Sequence, residues 1–190
     1  DAVGALTEDA MAGVDVAPGS AGAAVSTEVE PGFAETGCLV IDNWSAWRMR
    51  PEVPLVVAEV NPEAMDGHAG IIANPNCSTI GLAMAIAPLE REFGVKTLHV
   101  TTMQAISGAG YAGVPSYAIL DTVIPYISDE EGKIESEPPK ILGRWDGKRF
   151  VVRDGTIAAR GHARPAVDGR PRSIPRARRN PAPTRRAPAP

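Results

Sequence analysis

The sequence predicts an α/β protein built on a parallel sheet. Three observations carry that prediction. They are a strand–helix–strand spacing over the first sixty residues, an asparagine-rich turn that runs straight into an apolar helix, and a strong strand beyond that helix. Residues 14–17 and 23–25 are short β-prone pieces, broken by Pro18-Gly19-Ser20-Ala21-Gly22. Residues 28–36 can form a helix stopped by Gly37. Cys38-Leu39-Val40-Ile41-Asp42 is a compact apolar run, the mark of a buried strand, and residues 54–60 give another. Gly70-Ile71-Ile72-Ala73 leads into Asn74-Pro75-Asn76-Cys77-Ser78-Thr79. Residues 78–92 then read as a helix that is apolar on most faces, hence buried, and kinked or shortened at Pro88. Residues 95–104 form a strand, followed by the flexible turn Ser107-Gly108-Ala109-Gly110. Residues 129–141 read as a polar helix with a break at Pro138-Pro139.

At 190 residues, 44% hydrophobic and 22% charged, the chain has room for one large domain or parts of two. No apolar run approaches the roughly 20 residues of a membrane helix. There is no basic n-region and no initiator Met, so no signal peptide is expected and the chain reads as starting inside a longer frame. The net charge of -4 hides a division. Residues 1–159 hold 10 Lys and Arg against 22 Asp and Glu, whereas residues 160–190 hold 9 Arg against Asp168 alone. Arg, Pro, Ala and Gly supply 24 of those last 31 residues, so disorder is expected there. The same composition fits out-of-frame translation of GC-rich DNA. The tail has the charge of a nucleic-acid arm but no aromatic stacking platform, so no nucleic-acid partner is expected. Two cysteines make no disulfide framework, and free thiols fit a reducing cytoplasm. His68, His99 and His162 have no metal-ligand spacing, so no metal site is expected.

Cys77 is the sharpest chemical candidate. It falls between a strand-and-turn and the first turn of a helix, where free N–H groups and the positive helix end stabilise a thiolate. A thiolate attacks carbonyl carbon well. The alternative for Cys77 is a small hydrophobe capping a helix. Cys38, inside an apolar strand, reads as core.

At this point the residues resemble a known family. Asn74-Pro75-Asn76-Cys77-Ser78-Thr79, followed by Thr102-Met103-Gln104-Ala105-Ile106-Ser107-Gly108-Ala109-Gly110, is similar to aspartate-semialdehyde dehydrogenase. Val40-Ile41-Asp42-Asn43, Ser45-Ala46-Trp47-Arg48-Met49 and Val53-Pro54-Leu55-Val56-Val57 match upstream in order. Ile124-Pro125-Tyr126-Ile127, Glu130-Glu131-Gly132-Lys133 and Lys140-Ile141-Leu142-Gly143 match downstream, so the resemblance covers about residues 14–143. It implies part of a Rossmann-like nucleotide-binding domain over residues 1–73, then part of an α+β catalytic and dimerisation domain over residues 74–143. Residues 144–159 receive no assignment. It also implies a cytoplasmic homo-oligomer serving lysine, methionine and threonine biosynthesis.

The implied reaction is the NADP-dependent, reversible reduction of 4-aspartyl phosphate to L-aspartate 4-semialdehyde and phosphate. The Cys77 thiolate would attack the acyl phosphate, expel phosphate and leave a thioester, with oxyanion donors from the helix N-terminus after it. Gln104 matches the glutamine that orients substrate near the sulfur; by itself it reads as a polar strand end. Asn76 belongs to the same motif. Arg48 matches a phosphate-binding arginine, and a guanidinium fork suits phosphate oxygens. Glu130 and Lys133 match a glutamate for the substrate amino group and a lysine for the phosphate; alone they read as an exposed ion pair. Ser107 and Gly108 match the turn at the nicotinamide end, and Ser20-Ala21-Gly22 a turn near the adenosine.

The pattern has two gaps. The Gly-rich phosphate loop of the family has no match in these residues. The family's general acid/base histidine, in a Gly-His following an arginine and Val-Pro-Val, is also unmatched. Arg164-Pro165-Ala166-Val167-Asp168-Gly169 is a ragged echo ending on Arg170, and His162 lies on the wrong side of Arg164. The expectation is therefore a part of this enzyme with little activity alone. The alternatives are an N-acetyl-glutamyl-phosphate reductase-like enzyme and a non-catalytic subunit-interface piece.

Overall fold

The computed structural model describes residues 13–109, 115–119, 121–146 and 148–164. Strands β1 (Val16–Gly19), β2 (Leu39–Asp42) and β3 (Ile71–Ala73) form one sheet in the order β1-β2-β3. Both pairings are parallel, as the sequence spacing requires. Helix α1 (Ala23–Glu35) makes the crossover from β1 to β2. Gly22, at φ 109°, turns the chain into it, and Gly37, at φ 87°, turns the chain out. Residues 23–25 thus open this helix rather than forming a strand. Val25 alone is β-branched there, and its preference is outweighed by the two alanines before it and the helical segment that continues from it.

Residues 54–60 do not make the expected strand. Leu55 makes one parallel bridge to Ala73, and the chain then turns. Asn61 is the cause: its Oδ1 accepts the Val57 N–H at 2.8 Å and its Nδ2 donates to the Leu55 carbonyl at 2.9 Å. Those are backbone groups a longer strand would need.

Helix α2 (Cys77–Phe93) packs Ala83 and Ala87 against Val40, Leu55, Val57 and Ile71 of this sheet layer. It continues past Pro88 to Phe93 rather than ending there. Met84, whose carbonyl Pro88 cannot serve, is exposed, as is Pro88, so water can take the freed acceptor. The helix is not buried all round either. Met84 is 45%, Leu89 52% and Phe93 79% exposed, an open apolar face.

The second layer is a two-stranded parallel sheet, β4 (Thr97–Ala105) with β7 (Thr156–Arg164), in register from Thr97↔Thr156 to Ala105↔Arg164. Residues 160–164, expected to be disordered, therefore belong to a strand. Their backbone bonds β4 on one edge. On the other edge Glu135 accepts the Ala159 N–H and Glu131 the Gly161 N–H, both at 3.0 Å. These bonds outweigh the Arg-rich composition. Residues 165–190, and Gly110 with the rest of 110–114, lie outside the described residues.

The two glutamates come from helix α3 (Glu130–Ile141), which continues through Pro138 and Pro139 without the expected break. Burial of Ile134 and Ile141 and the inward ionic contacts of Glu137 and Lys140 hold it in place. Strands β5 (Arg144–Trp145) and β6 (Phe150–Val151) form a short antiparallel pair. Its Trp145 and Phe150 pack on Val56, Ala64 and Ile72, so this part of the chain returns to cover the first sheet.

Candidate active site

The carboxyl ends of β1, β2 and β3 lie side by side, because parallel strands all deliver their following loops to one edge of the sheet. Those loops supply Ser20, Asn43 and Asn74 to one cavity of about 440 Å³. The same cavity is lined by Arg48, Asn76, Cys77, Gln104, Glu130 and Lys133. Six residues singled out in the sequence, from strand β4, two helices and the loops after β2 and β3, thus meet in one place.

Cys77 is the first residue of α2 and is exposed. Asn76 caps that helix: its Oδ1 accepts the N–H of Ser78 at 2.9 Å and of Thr79 at 3.3 Å. Those two donors, expected to serve an oxyanion, are therefore already engaged. The Asn76 Nδ2 donates to Glu130 Oε2 at 3.1 Å. Gln104 Nε2 donates to Ser78 Oγ at 2.8 Å and closely to Glu130 Oε1. Asn76, Glu130 and Gln104 so form one bonded arc around the cysteine. Lys133, half-buried, lies one helical turn from Glu130.

Arg48, matched above to a phosphate-binding arginine, lines the cavity but gives three of its N–H groups to the protein. It is 8% exposed and ties loops together. Its Nε donates to the Asn74 carbonyl at 2.9 Å, its Nη2 to the Asn43 carbonyl at 2.6 Å, and its Nη1 to Glu137 at 3.1 Å. Two of its five N–H groups remain for a ligand. Ser107 and Gly108 lie in the 3₁₀ turn Ile106–Ala109 directly after β4, and Gly22 precedes α1; neither Ser107 nor Gly22 lines the cavity. No histidine lines it either among the described residues. Nor do the described residues hold three His, Cys, Asp or Glu grouped for a metal.

Sequence reasoning missed Glu137, Lys140 and a carboxyl pair beneath the β1–α1 turn. Glu30 and Asp42 are 5% and 0% exposed. Ser26 Oγ donates to Asp42 Oδ1 at 3.0 Å and Trp47 Nε1 to Glu30 Oε2 at 2.6 Å. Burial first, then the Asp42 charge, pushes Glu30 up to about 7, so Glu30 is part-protonated near neutrality. A Cβ on Gly19 would stand 2.0 Å from Glu30 Oε1, which is why the chain has glycine there.

The turn at Ser20–Gly22 fits a dinucleotide on two observations. It stands at the carboxyl edge of a parallel sheet, and Gly22 has nothing within 4 Å of a built Cβ, leaving room for close approach of a ligand.

Fold and site together define a nucleotide-crevice α/β protein with a thiol at a helix N-terminus. Two family models identify it more closely. The semialdehyde dehydrogenase NAD-binding domain matches residues 2–68, and the semialdehyde dehydrogenase dimerisation domain matches residues 86–175. The chain is 45% identical over 162 residues to aspartate-semialdehyde dehydrogenase of Archaeoglobus fulgidus, covering 79% of this chain and 46% of that protein. It is 43% identical over 175 residues to the enzyme of the same name from Methanothermobacter thermautotrophicus, covering 87% and 50%. A crystal structure of aspartate-semialdehyde dehydrogenase with NADP from Candida albicans superposes with a TM-score of 0.72 at 37% identity, over 81% of this chain and 48% of that one. The chain belongs to the semialdehyde dehydrogenase family. It spans about half the length of the curated relatives it matches.

Proposed function

We propose that this chain carries the cysteine side of an NADP-dependent aspartate-semialdehyde dehydrogenase site. The observation that supports it best is the exposed Cys77 at the start of α2, in one cavity with Gln104, Glu130 and Lys133. In this reading the Cys77 thiol gives its proton to water and the sulfur attacks the acyl carbon of 4-aspartyl phosphate. An S–C bond forms, the C–O bond to phosphorus breaks, and phosphate leaves with the electron pair. The Glu130 carboxylate holds the substrate amino group, and Lys133 with the free N–H groups of Arg48 holds the phosphate. Lys133 is the donor left for the acyl oxygen, since Asn76 occupies the N–H groups of Ser78 and Thr79 and the two N–H groups of Gln104 go to Ser78 and Glu130. When bound, NADPH supplies the hydride that reduces the thioester to the aldehyde. Ser20, Ala21 and Gly22 would lie along it, with Ser107 and Gly108 toward its nicotinamide end.

The match to the dimerisation domain supports a homo-oligomer, and the open apolar residues of α2 with the outward Thr97, His99, Thr101 and Met103 of β4 are the surface it would use. Among the described residues no helix is long and apolar enough to cross a membrane, and the two free cysteines support a cytoplasmic site of action. The test is a single turnover. Mixing the chain with 4-aspartyl phosphate should add one aspartyl group to the Cys77 peptide, seen by mass, with one equivalent of phosphate released. Cys77→Ser should show neither. An unmodified Cys77 peptide in the unaltered chain refutes the reading.

A further inference from the structure

Helix α3 repeats one spacing. Glu130 and Lys133 stand three apart, and seven residues further on so do Glu137 and Lys140. The first pair lines the cysteine's cavity. The second is buried, at 1% and 3% exposure, and the reaction above does not use it. Buried ions are retained only where partners compensate their lost hydration. The partners of both are found mostly on one segment. Glu137 Oε1 accepts from Arg48 Nη1 at 3.1 Å, and its Oε2 accepts the backbone N–H of Asn76 at 2.8 Å. Lys140 Nζ donates to the carbonyls of Arg48 at 2.7 Å, Arg50 at 2.6 Å and Val53 at 2.7 Å. An ammonium has three donors, and all three are engaged by this loop.

Arg48 is thus gripped at both ends by one helix, its guanidinium through Glu137 and its own carbonyl through Lys140. The carbonyls of Asn43 and Asn74 fix two further N–H groups. A long side chain held this way has already lost its rotamer freedom before a ligand arrives, which favours binding. We infer that Glu137 and Lys140 are positioning residues that hold Arg48 rigid, so that its two remaining N–H groups and Lys133 form a preorganised anion site beside Cys77. The inference rests on the reading that this cavity receives phosphate.

Charge alone makes the opposite forecast for Glu137. Deleting an anion next to Arg48 would tighten phosphate binding, whereas deleting its positioning would weaken it. The experiment alkylates Cys77 of the full chain with iodoacetamide, with inorganic phosphate as the protecting anion and peptide mass as the readout. Glu137→Gln keeps the shape and removes the charge. Glu137→Asp keeps the charge and withdraws it by one methylene, and carries the test if the first variant does not fold. Lys140→Met leaves the contacts of Glu137 with Arg48 and Asn76 in place. All three should raise the phosphate concentration for half-protection by about tenfold. Lys140→Met should leave the unprotected alkylation rate within about twofold, a split that general unfolding would not give. Unchanged or tighter protection in the Glu137 variants overturns the inference and leaves the site reading standing. Absence of protection in the unaltered chain overturns the site reading and the inference with it.

Discussion

Replacing Glu30 with glutamine should flatten the pH dependence of stability. Glu30 titrates at about 7 in the folded chain against 4.5 for a free glutamate. Between those values the folded chain holds a proton that the unfolded chain has released. Stability therefore falls as pH rises through this window. At about 1.4 kcal/mol per unit, the gap gives an upper bound of about 2.5 kcal/mol lost between pH 5 and pH 8, and solvent relaxation brings it toward about 1 kcal/mol. A glutamine side chain mimics the protonated acid: its carbonyl can accept from Trp47 and its amide can donate to Asp42. Glu30→Gln should then match the unaltered chain at pH 5 and exceed it by about 1–2.5 kcal/mol at pH 8. Burial lowers Lys140 to about 8, which raises stability with pH around and above that value. The comparison at equal pH cancels this and any histidine contribution. The assay is urea unfolding followed by circular dichroism at pH 5, 6, 7 and 8, with equal slopes checked at each pH. Parallel stability curves for the two proteins would show that no proton is held at Glu30, and this account of the pH dependence would fall.

Two further perturbations test the local geometry. Asn76→Ala removes the cap of α2 and the amide that Glu130 accepts from; a stability loss of about 1–2 kcal/mol is expected in urea, and a loss below about 0.3 would mean the cap is idle. Gly70 sits at φ 93° with a built Cβ 2.6 Å from Ala34 Cβ, so Gly70→Ala should cost about 2–4 kcal/mol through backbone strain and overpacking, read as a lowered melting temperature.

Much of the site was legible because its residues announce themselves locally. The turn before Cys77 and the apolar run after it predict a helix whose first turn holds the thiol, and α2 begins at Cys77; that Asn76 caps it is visible only in the fold. The parallel order of the first sheet followed from strand spacing. What failed depended on long-range partners. Residues 54–60 are as apolar as a strand, but Asn61 folds back on Val57 and Leu55. Residues 160–164 look like the tail that follows them, but β4 and two glutamates of α3 claim their backbone. What fixes Arg48 is not visible around it in sequence, because its counter-ion Glu137 stands 89 residues away. A period-seven repeat of Glu-x-x-Lys was visible, yet only the fold tells which pair meets ligand and which meets protein.

That polar helix has a consequence for how the chain can vary. Glu130 and Lys133 point to the cavity, Glu131 and Glu135 seal the edge of β7, and Glu137 and Lys140 grip the loop around Arg48. Charges arrayed around a helix ordinarily signal a solvated surface where substitutions drift freely. Here six of twelve positions are charged, and each of the six touches the cavity or is bonded to backbone elsewhere in the protein. Such a helix has almost no neutral positions to give up, and Gly132 and Ser136 mark nearly all of its room for change.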